Sequence, residues 1–300
     1  MALVPFDDRD GWIWLDGALV AWRDAKLHVL SHGLHYASAV FEGERAYSGN
    51  VFRLRDHTDR LINSGRIMGF EIPYTADEID AATVAVLAAN GLTEAYVRPI
   101  AWRGTEMLAV AAQQTTIHLA IAAWPWPSYF GENRMRGIRL GMAEWKRPSP
   151  ETAPTMAKAT GLYMIGTLSK HTAEQQGFDD ALMLDWRGNV GEATGANIFF
   201  VMDGELHTPT PEGFLDGITR RSVMSLARRQ QMKVVERTIE FPEIERASEV
   251  FLAGTAAEVT PVREIAGQTF TPARVCETLM KEFDALVRRS PAEVARVVAN

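Results

Sequence analysis

Apolar residues recur along the first third of the chain in two rhythms. Trp12-Ile13-Trp14-Leu15 and Ala18 to Trp22, joined by Asp16-Gly17, predict a β-hairpin. Val40 to Tyr47 and Val51 to Leu54, on either side of Gly49-Asn50, predict a second hairpin. The period then lengthens. Asp56 is placed to cap a helix containing Arg60, Leu61 and Ile62. Thr75 with Glu78 spells a capping box, Ile79, Ala82 and Val86 follow on one face, and Gly91 ends that helix. Strands around Ala95 to Ala101 and Thr116 to Ala123 complete a small α+β domain over residues 1–123.

Trp124-Pro125-Trp126-Pro127-Ser128-Tyr129-Phe130-Gly131 breaks both rhythms and predicts an interdomain linker over residues 124–135. Ligands favour domain boundaries, so its aromatics are also candidates for binding. The larger domain, 136–300, opens on a strand at Ile138 to Met142 and a proline-rich loop from Arg147 to Pro154. A helix from Gly161 to Gln176 ends at Gly177; strands follow at Ala181 to Asp185 and Asn197 to Met202. Thr219 to Gln231 reads as a helix, and Thr271-Pro272 starts the last long one, with Pro at its favoured first position. The fold class expected is α/β (α+β) in two domains.

Composition narrows the function. With 300 residues, 47% hydrophobic, the chain can bury a large core. Lys+Arg 31 against Asp+Glu 38 gives a net charge of −7, which speaks against nucleic-acid binding and for small-molecule chemistry. A lone cysteine, Cys276, allows no intrachain disulfide and fits a reducing compartment. No basic stretch followed by an apolar run marks a signal peptide, and no apolar stretch approaches the roughly 20 residues that span a bilayer, so a cytoplasmic location and no membrane partner are expected.

Chemistry concentrates around one lysine. Lys158 lies between alanines in Thr155-Met156-Ala157-Lys158-Ala159-Thr160-Gly161-Leu162-Tyr163, a setting that suits a Schiff-base nucleophile because desolvation disfavours an ammonium. Gly191-Glu192-Ala193-Thr194-Gly195-Ala196-Asn197-Ile198-Phe199-Phe200 places a carboxylate in a tight turn. Leu215-Asp216-Gly217-Ile218-Thr219-Arg220 and Ala253-Gly254-Thr255-Ala256-Ala257-Glu258-Val259-Thr260-Pro261 are turns rich in amides beside a hydroxyl, suited to cradling a phosphate. Pyridoxal 5'-phosphate needs such a set: an amine, a carboxylate and phosphate donors. His28, His32 and His35 share one helical face as a zinc site would, but no matching Cys, Asp or Glu ligands follow, and no metal is expected.

These motifs, with Ser31-His32-Gly33-Leu34-His35-Tyr36, Val40-Phe41-Glu42-Gly43 and Ala95-Tyr96-Val97-Arg98-Pro99, resemble in order and wording the fold-type IV pyridoxal-phosphate enzymes, most closely the branched-chain amino acid aminotransferases. The resemblance implies a larger domain of barrel-like sheets, a cofactor in the cleft between domains, and a homodimer or higher homo-oligomer. It implies ping-pong transamination between a branched-chain L-amino acid and 2-oxoglutarate. Lys158 would be the catalytic amine, and Glu192 would keep the pyridine nitrogen protonated. Arg60, Tyr163, Gly195, Leu215, Gly217, Ile218, Thr219 and Thr255 would complete the cofactor site, with Arg60 on the phosphate.

Tyr36, Phe41, Tyr96, Trp126, Tyr129 and Tyr163 match positions that line the family's substrate pocket. Arg98 resembles the arginine that receives the distal carboxylate of glutamate; standing two residues from Tyr96 on a strand, it points to the same side. Thr255 and Ala256, with Tyr96, would hold the α-carboxylate. The segment Gly104-Thr105-Glu106-Met107-Leu108-Ala109-Val110 lacks the family's glycine-methionine-glycine wording; through Leu108 and Val110 it would cover the pocket of the neighbouring subunit. A D-amino-acid or (R)-amine aminotransferase shares the cofactor set, as does an aminodeoxychorismate-type lyase; a non-enzymatic phosphate- or aldehyde-binding protein would not require all three elements.

Overall fold

The computed structural model describes residues 4–126 and 131–298. The chain divides into two units, Met1–Pro127 with Ala157–Gly161, and Ser128–Met156 with Leu162–Asn300.

In the first unit, strands β1 (Trp12–Leu15), β2 (Ala18–Ala21), β3 (Ala39–Phe41), β4 (Glu44–Tyr47), β5 (Asn50–Val51), β6 (Ala95–Arg103) and β7 (Ile117–Pro125) form one sheet. Its order is β2-β1-β7-β6-β4-β5, and β3 also pairs with β6. The second expected hairpin strand, Val40 to Tyr47, is therefore two strands. Phe41 pairs with Ile100 and Glu44 with Val97, so Glu42 and Gly43 lie opposite Pro99 and Arg98. Proline has no N–H to give the ladder, and the partner strand is interrupted there. The Glu42 N–H still donates to the Pro99 carbonyl at 2.9 Å.

Helices α1 (His32–Tyr36), α2 (Leu54–Ile67) and α3 (Ala76–Ala89) belong to the same unit. Leu61 of α2 and Ile79, Ala82 and Val86 of α3 share a core with Val40, Ala46, Val97, Leu119 and Ile121 of the sheet. The Thr75–Glu78 capping box is formed in both directions. Asp56, in contrast, is not the N-cap. The helix starts at Leu54, after Arg53 in the left-handed region at φ 54°, and the Asp56 carboxylate takes the Arg53 guanidinium at 2.8 and 3.0 Å. An arginine three residues upstream competes better for that carboxylate than the backbone N–H groups do.

The second unit holds β8 (Ile138–Met142), β9 (Asp180–Leu184), β10 (Val190–Ala193), β11 (Asn197–Met202), β12 (Glu205–Pro209), β13 (Val234–Arg237), β14 (Glu249–Gly254), β15 (Glu258–Ile265) and β16 (Gln268–Thr269). They form one mixed sheet in the order β10-β9-β8-β15-β14-β11-β12-β13, with β16 on β15. Every residue of β11 is buried, because both sheet faces are covered. Ile198, Phe200 and Met202 enter a core with Leu140, Leu182, Leu252 and Val262. On the opposite face Phe199 stacks on Phe251 with centroids 5.1 Å apart.

Helices α4 (Met164–Gln175), α5 (Ile218–Arg229), α6 (Arg274–Leu286) and α7 (Pro291–Val298) complete the unit. Thr271-Pro272 does not open α6, and the last long helix is two. The start of α6 is set by Glu249 of β14, whose buried carboxylate accepts the N–H groups of Ala273, Val275 and Cys276 at 3.1, 3.1 and 2.8 Å. The proline at a first helical position is Pro291, in α7. Among the described residues no helix is long and apolar enough to cross a membrane.

Glu249→Ala leaves three backbone donors at a buried helix end without an acceptor and is expected to cost about 2–3 kcal/mol in urea unfolding. Thr75→Ala, which removes an exposed cap, is expected to cost about 1 kcal/mol. Equal losses would show that the carboxylate does not hold the helix start.

Candidate active site

Lys158 belongs by its contacts to the first unit. Its N–H donates to Ser64 Oγ on α2 at 3.0 Å, and its carbonyl accepts the Phe41 N–H at 3.1 Å. Ala159 bridges to Val40, and the Thr160 hydroxyl donates to the carbonyls of Ala37 and Ala39 at 3.3 Å. The flanking Ala157 and Ala159 are buried, so the segment is built of small residues where larger ones would not fit. The amine lies 4.8 Å from the centre of the Phe41 ring.

The same ring meets a second cation. The Arg98 guanidinium lies 4.7 Å from the Phe41 centroid and donates to the Tyr96 hydroxyl at 3.1 Å, so Tyr96 and Arg98 do share a side of β6. Tyr96 stands between Trp124 and Trp126, each with its centroid 5.2 Å away. Gly43 allows this placement, since a Cβ there would come within 2.1 Å of the Tyr96 oxygen. Phe41, Tyr96, Arg98 and Trp126 are thus brought together.

Tyr36, Leu108 and Val110 are exposed instead, and Tyr36 stacks on His32 with centroids 4.5 Å apart. Tyr129 lies outside the described residues. His32 bonds Ser38 Oγ and the Ala109 carbonyl, His35 the Val29 carbonyl, and His28 Nδ1 accepts the Leu30 N–H. These are turn and loop contacts.

Arg60, the expected phosphate ligand, points its Nε and Nη2 at Glu42, at 2.6 and 2.8 Å. Any phosphate contact must use the rest of its guanidinium. Glu42 and His57, which completes this group, carry no signal in the sequence beyond the Phe-Glu-Gly wording.

In the second unit Glu192 lies in β10, not in a turn. The glycines around it suggest a turn, but every residue of β10 is buried, and Val190, Glu192 and Ala193 pair with β9 on either side of a register shift at Gly191. One carboxylate oxygen accepts from Arg147 and the other from Asn197 Nδ2 at 3.0 Å. Asn197 also donates to the Leu215 carbonyl at 3.0 Å, and a Cβ at Gly217 would come within 2.2 Å of its side-chain oxygen. One amide side chain therefore ties the carboxylate to the turn that starts α5.

That helix starts at Gly217 with no side-chain cap, and Ile218 and Thr219 are buried. Asp216 and Arg220 pair at 2.7 Å, and the buried Arg220 also holds Thr208 and the Pro209 carbonyl, which fixes the turn from beneath. Gly195 is open, with nothing within 4 Å of a Cβ position. Thr255 and Ala256, half-buried, form the turn between β14 and β15, which Gly254 and Glu258 close by pairing. Tyr163 is half-buried at the start of α4.

The donor set fits pyridoxal phosphate. A lysine clamped at its backbone can serve an aldehyde, and a buried carboxylate held at both oxygens can face a ring nitrogen. A helix start without a side-chain cap beside a buried threonine suits a phosphate.

Residues 39–265 match the family described as Amino-transferase class IV. The chain is 44% identical to a branched-chain-amino-acid aminotransferase of Pseudomonas aeruginosa, over 93% of this chain and 94% of that protein. It is 40% identical to the enzyme of the same name from Escherichia coli K12, over 85% of each. Among solved structures, the branched-chain aminotransferase of Thermoproteus uzoniensis, crystallised with norvaline, superposes with a TM-score of 0.91 at 37% identity, covering 96% of this chain and 98% of that one. A T.th. branched-chain amino acid aminotransferase, complexed with N-(5'-phosphopyridoxyl)-L-glutamate, gives 0.90 at 36%, covering 95% and 96%. The chain belongs to the class IV aminotransferases, pyridoxal-phosphate enzymes of mixed α/β fold, and within them to the branched-chain amino acid aminotransferase family.

Proposed function

We propose that the protein transfers the amino group of branched-chain L-amino acids to 2-oxoglutarate by a ping-pong mechanism, with Lys158 as the catalytic amine. The observation that carries this reading is Arg98 lying against Phe41 and Tyr96 in an otherwise aromatic wall, on the ring that also meets the Lys158 amine. An apolar wall takes an aliphatic side chain, and its single guanidinium takes the distal carboxylate of the other substrate. A relative solved in complex with N-(5'-phosphopyridoxyl)-L-glutamate supports glutamate and its 2-oxo acid as the other substrate pair.

Pyridoxal phosphate, when bound, supplies an aldehyde and a ring that accepts electrons. Lys158 would hold that aldehyde and, once the substrate amine has taken its place, its freed amine would move the proton at the substrate Cα; the pinned backbone keeps the amine on a short arc. Glu192 holds the proton of the ring nitrogen, and Arg147 and Asn197 keep the carboxylate in place for it. Gly217, Ile218, Thr219, Thr255 and Arg60 would hold the phosphate, and Tyr163, Gly195 and Leu215 would complete the cofactor site. Thr255 and Ala256, with Tyr96, take the α-carboxylate.

We further read the enzyme as a cytoplasmic homodimer. Leu27, Val29, Leu30, Leu34 and Tyr36 form an exposed apolar run. His32 ties this run to the loop of Leu108 and Val110 through the Ala109 carbonyl at 2.8 Å. Apolar surface of this kind marks an interaction site, and a second copy of the chain is the occupant we propose.

Borohydride reduction of the holoenzyme is expected to fix the cofactor on the peptide carrying Lys158; an adduct on another lysine, found by mass spectrometry, sinks the assignment. Glu192→Gln is expected to retain the cofactor but lose about 2–4 kcal/mol of transition-state stabilisation, roughly 30- to 1,000-fold in turnover. Unchanged turnover refutes the ring-nitrogen role. Arg98→Ala is expected to raise KM for 2-oxoglutarate far more than for the aliphatic 2-oxo acids, since only the former leaves a distal carboxylate unpaired. Steady-state kinetics with both enantiomers of leucine check the substrate class. A preference for the D form, or for (R)-amines, would assign the protein to the D-amino-acid or (R)-amine aminotransferases.

A further inference from the structure

Beside Lys158 lies a buried polar group that the proposed chemistry does not use. Glu42, in the bend between β3 and β4, is 0% exposed. Its Oε1 accepts from Arg60 Nε at 2.6 Å, and its Oε2 accepts from Arg60 Nη2 at 2.8 Å, from His57 Nδ1 at 2.6 Å and from the Gly43 N–H at 3.3 Å. His57 and Arg60 are one turn apart on α2, so a single carboxylate gathers one face of that helix.

Burial raises the Glu42 carboxyl, but Arg60 and then His57 outweigh it and hold it well below the usual range, so it stays ionised. Burial pushes His57 down, which leaves a neutral ring whose Nδ1 carries the proton it donates to Glu42. Glu44, two residues on and equally buried, has an oxygen without a hydrogen-bond partner. Burial first, then the charges of Glu42 and Asp80, push it well above the usual range. The Arg60 hydrogen bonds go to Glu42 and not to Glu44.

We propose that Glu42, steadied by His57, is a positioning residue that fixes the Arg60 guanidinium in the orientation from which it receives the cofactor phosphate. The proposal rests on the reading of Arg60 as a phosphate contact. An unrestrained arginine side chain has many rotamers, and a side-on carboxylate removes much of that freedom before any ligand arrives. The remaining part of the guanidinium then meets an anion from one side only. A helix that merely needed a buried partner for Arg60 would gain nothing from such an orientation.

The test compares two ligands that differ only in the phosphate. Full-length protein stripped of cofactor is titrated with pyridoxal phosphate and with pyridoxal, following protein fluorescence. Glu42→Gln and Arg60→Gln are each expected to reduce the preference for the phosphorylated form by about tenfold or more, the size of one lost charged hydrogen bond, with pyridoxal affinity unchanged. His57→Gln is expected to reduce it less. Equal weakening of both ligands by Glu42→Gln, or no change, overturns the proposal. A preference lost in Arg60→Gln but kept in Glu42→Gln overturns the proposal alone, whereas a preference kept in Arg60→Gln overturns the phosphate reading of Arg60 with it. If Glu42→Gln does not fold, Glu42→Asp carries the comparison: it keeps the charge but draws it back one methylene, and an unchanged preference is again the overturning result.

Discussion

The backbone of Lys158 is held on both sides, by the Ser64 hydroxyl on its N–H and the Phe41 N–H on its carbonyl. A flexible four-carbon side chain delivers a proton to one atom only if its root does not move. Much of the first unit follows from that clamp. Ser64 must face the lysine, so α2 presents His57, Arg60, Leu61 and Ser64 along one side. Phe41 must end its strand with its N–H turned to the lysine carbonyl, so β3 stops where Pro99 on the partner strand offers no donor. The alanines beside Lys158 leave room for both contacts.

Charge is handled alike in the two units. Glu42 and Glu192 are both buried carboxylates, and each faces an arginine. A bare carboxylate at such a site would cost several kcal/mol, and a second donor to the remaining lone pairs makes it tolerable. His57 and Asn197 are those second donors. Stability alone would favour an apolar replacement, so what such pairs contribute is geometry. Glu42 orients a guanidinium, and Glu192 is itself oriented by one.

The sequence carried the family and its cofactor better than the local architecture around the candidate site. The first hairpin, the capping box, β8 and β11 were legible because period and turn residues agree there. Lys158 and the amide-rich turns stand out in the sequence because their wording is specific. Glu192 was read as a turn residue because glycines surround it, yet its strand is buried on both sides and needs no alternation. Asp56 and Thr271-Pro272 have the residue types of helix starts. Arg53 takes the first, and a carboxylate from β14, remote in sequence, sets α6 instead of the second. Competition of this sort is tertiary, and no local window contains it. Ser64, Arg147 and Asn197 escaped for the same reason: each acts on a group far along the chain.

Two glycines show how closely these contacts are fitted. A side chain at Gly43 would displace the Tyr96 hydroxyl, and one at Gly217 would displace the Asn197 amide. Neither glycine has a positive φ, so neither is there for backbone freedom. Each gives up side-chain packing to let a polar group approach the backbone. Tyr96 then reaches Arg98, and Asn197 reaches Glu192 and Leu215 together. The glycines of these motifs thus act at one remove, through the space they leave for these donors.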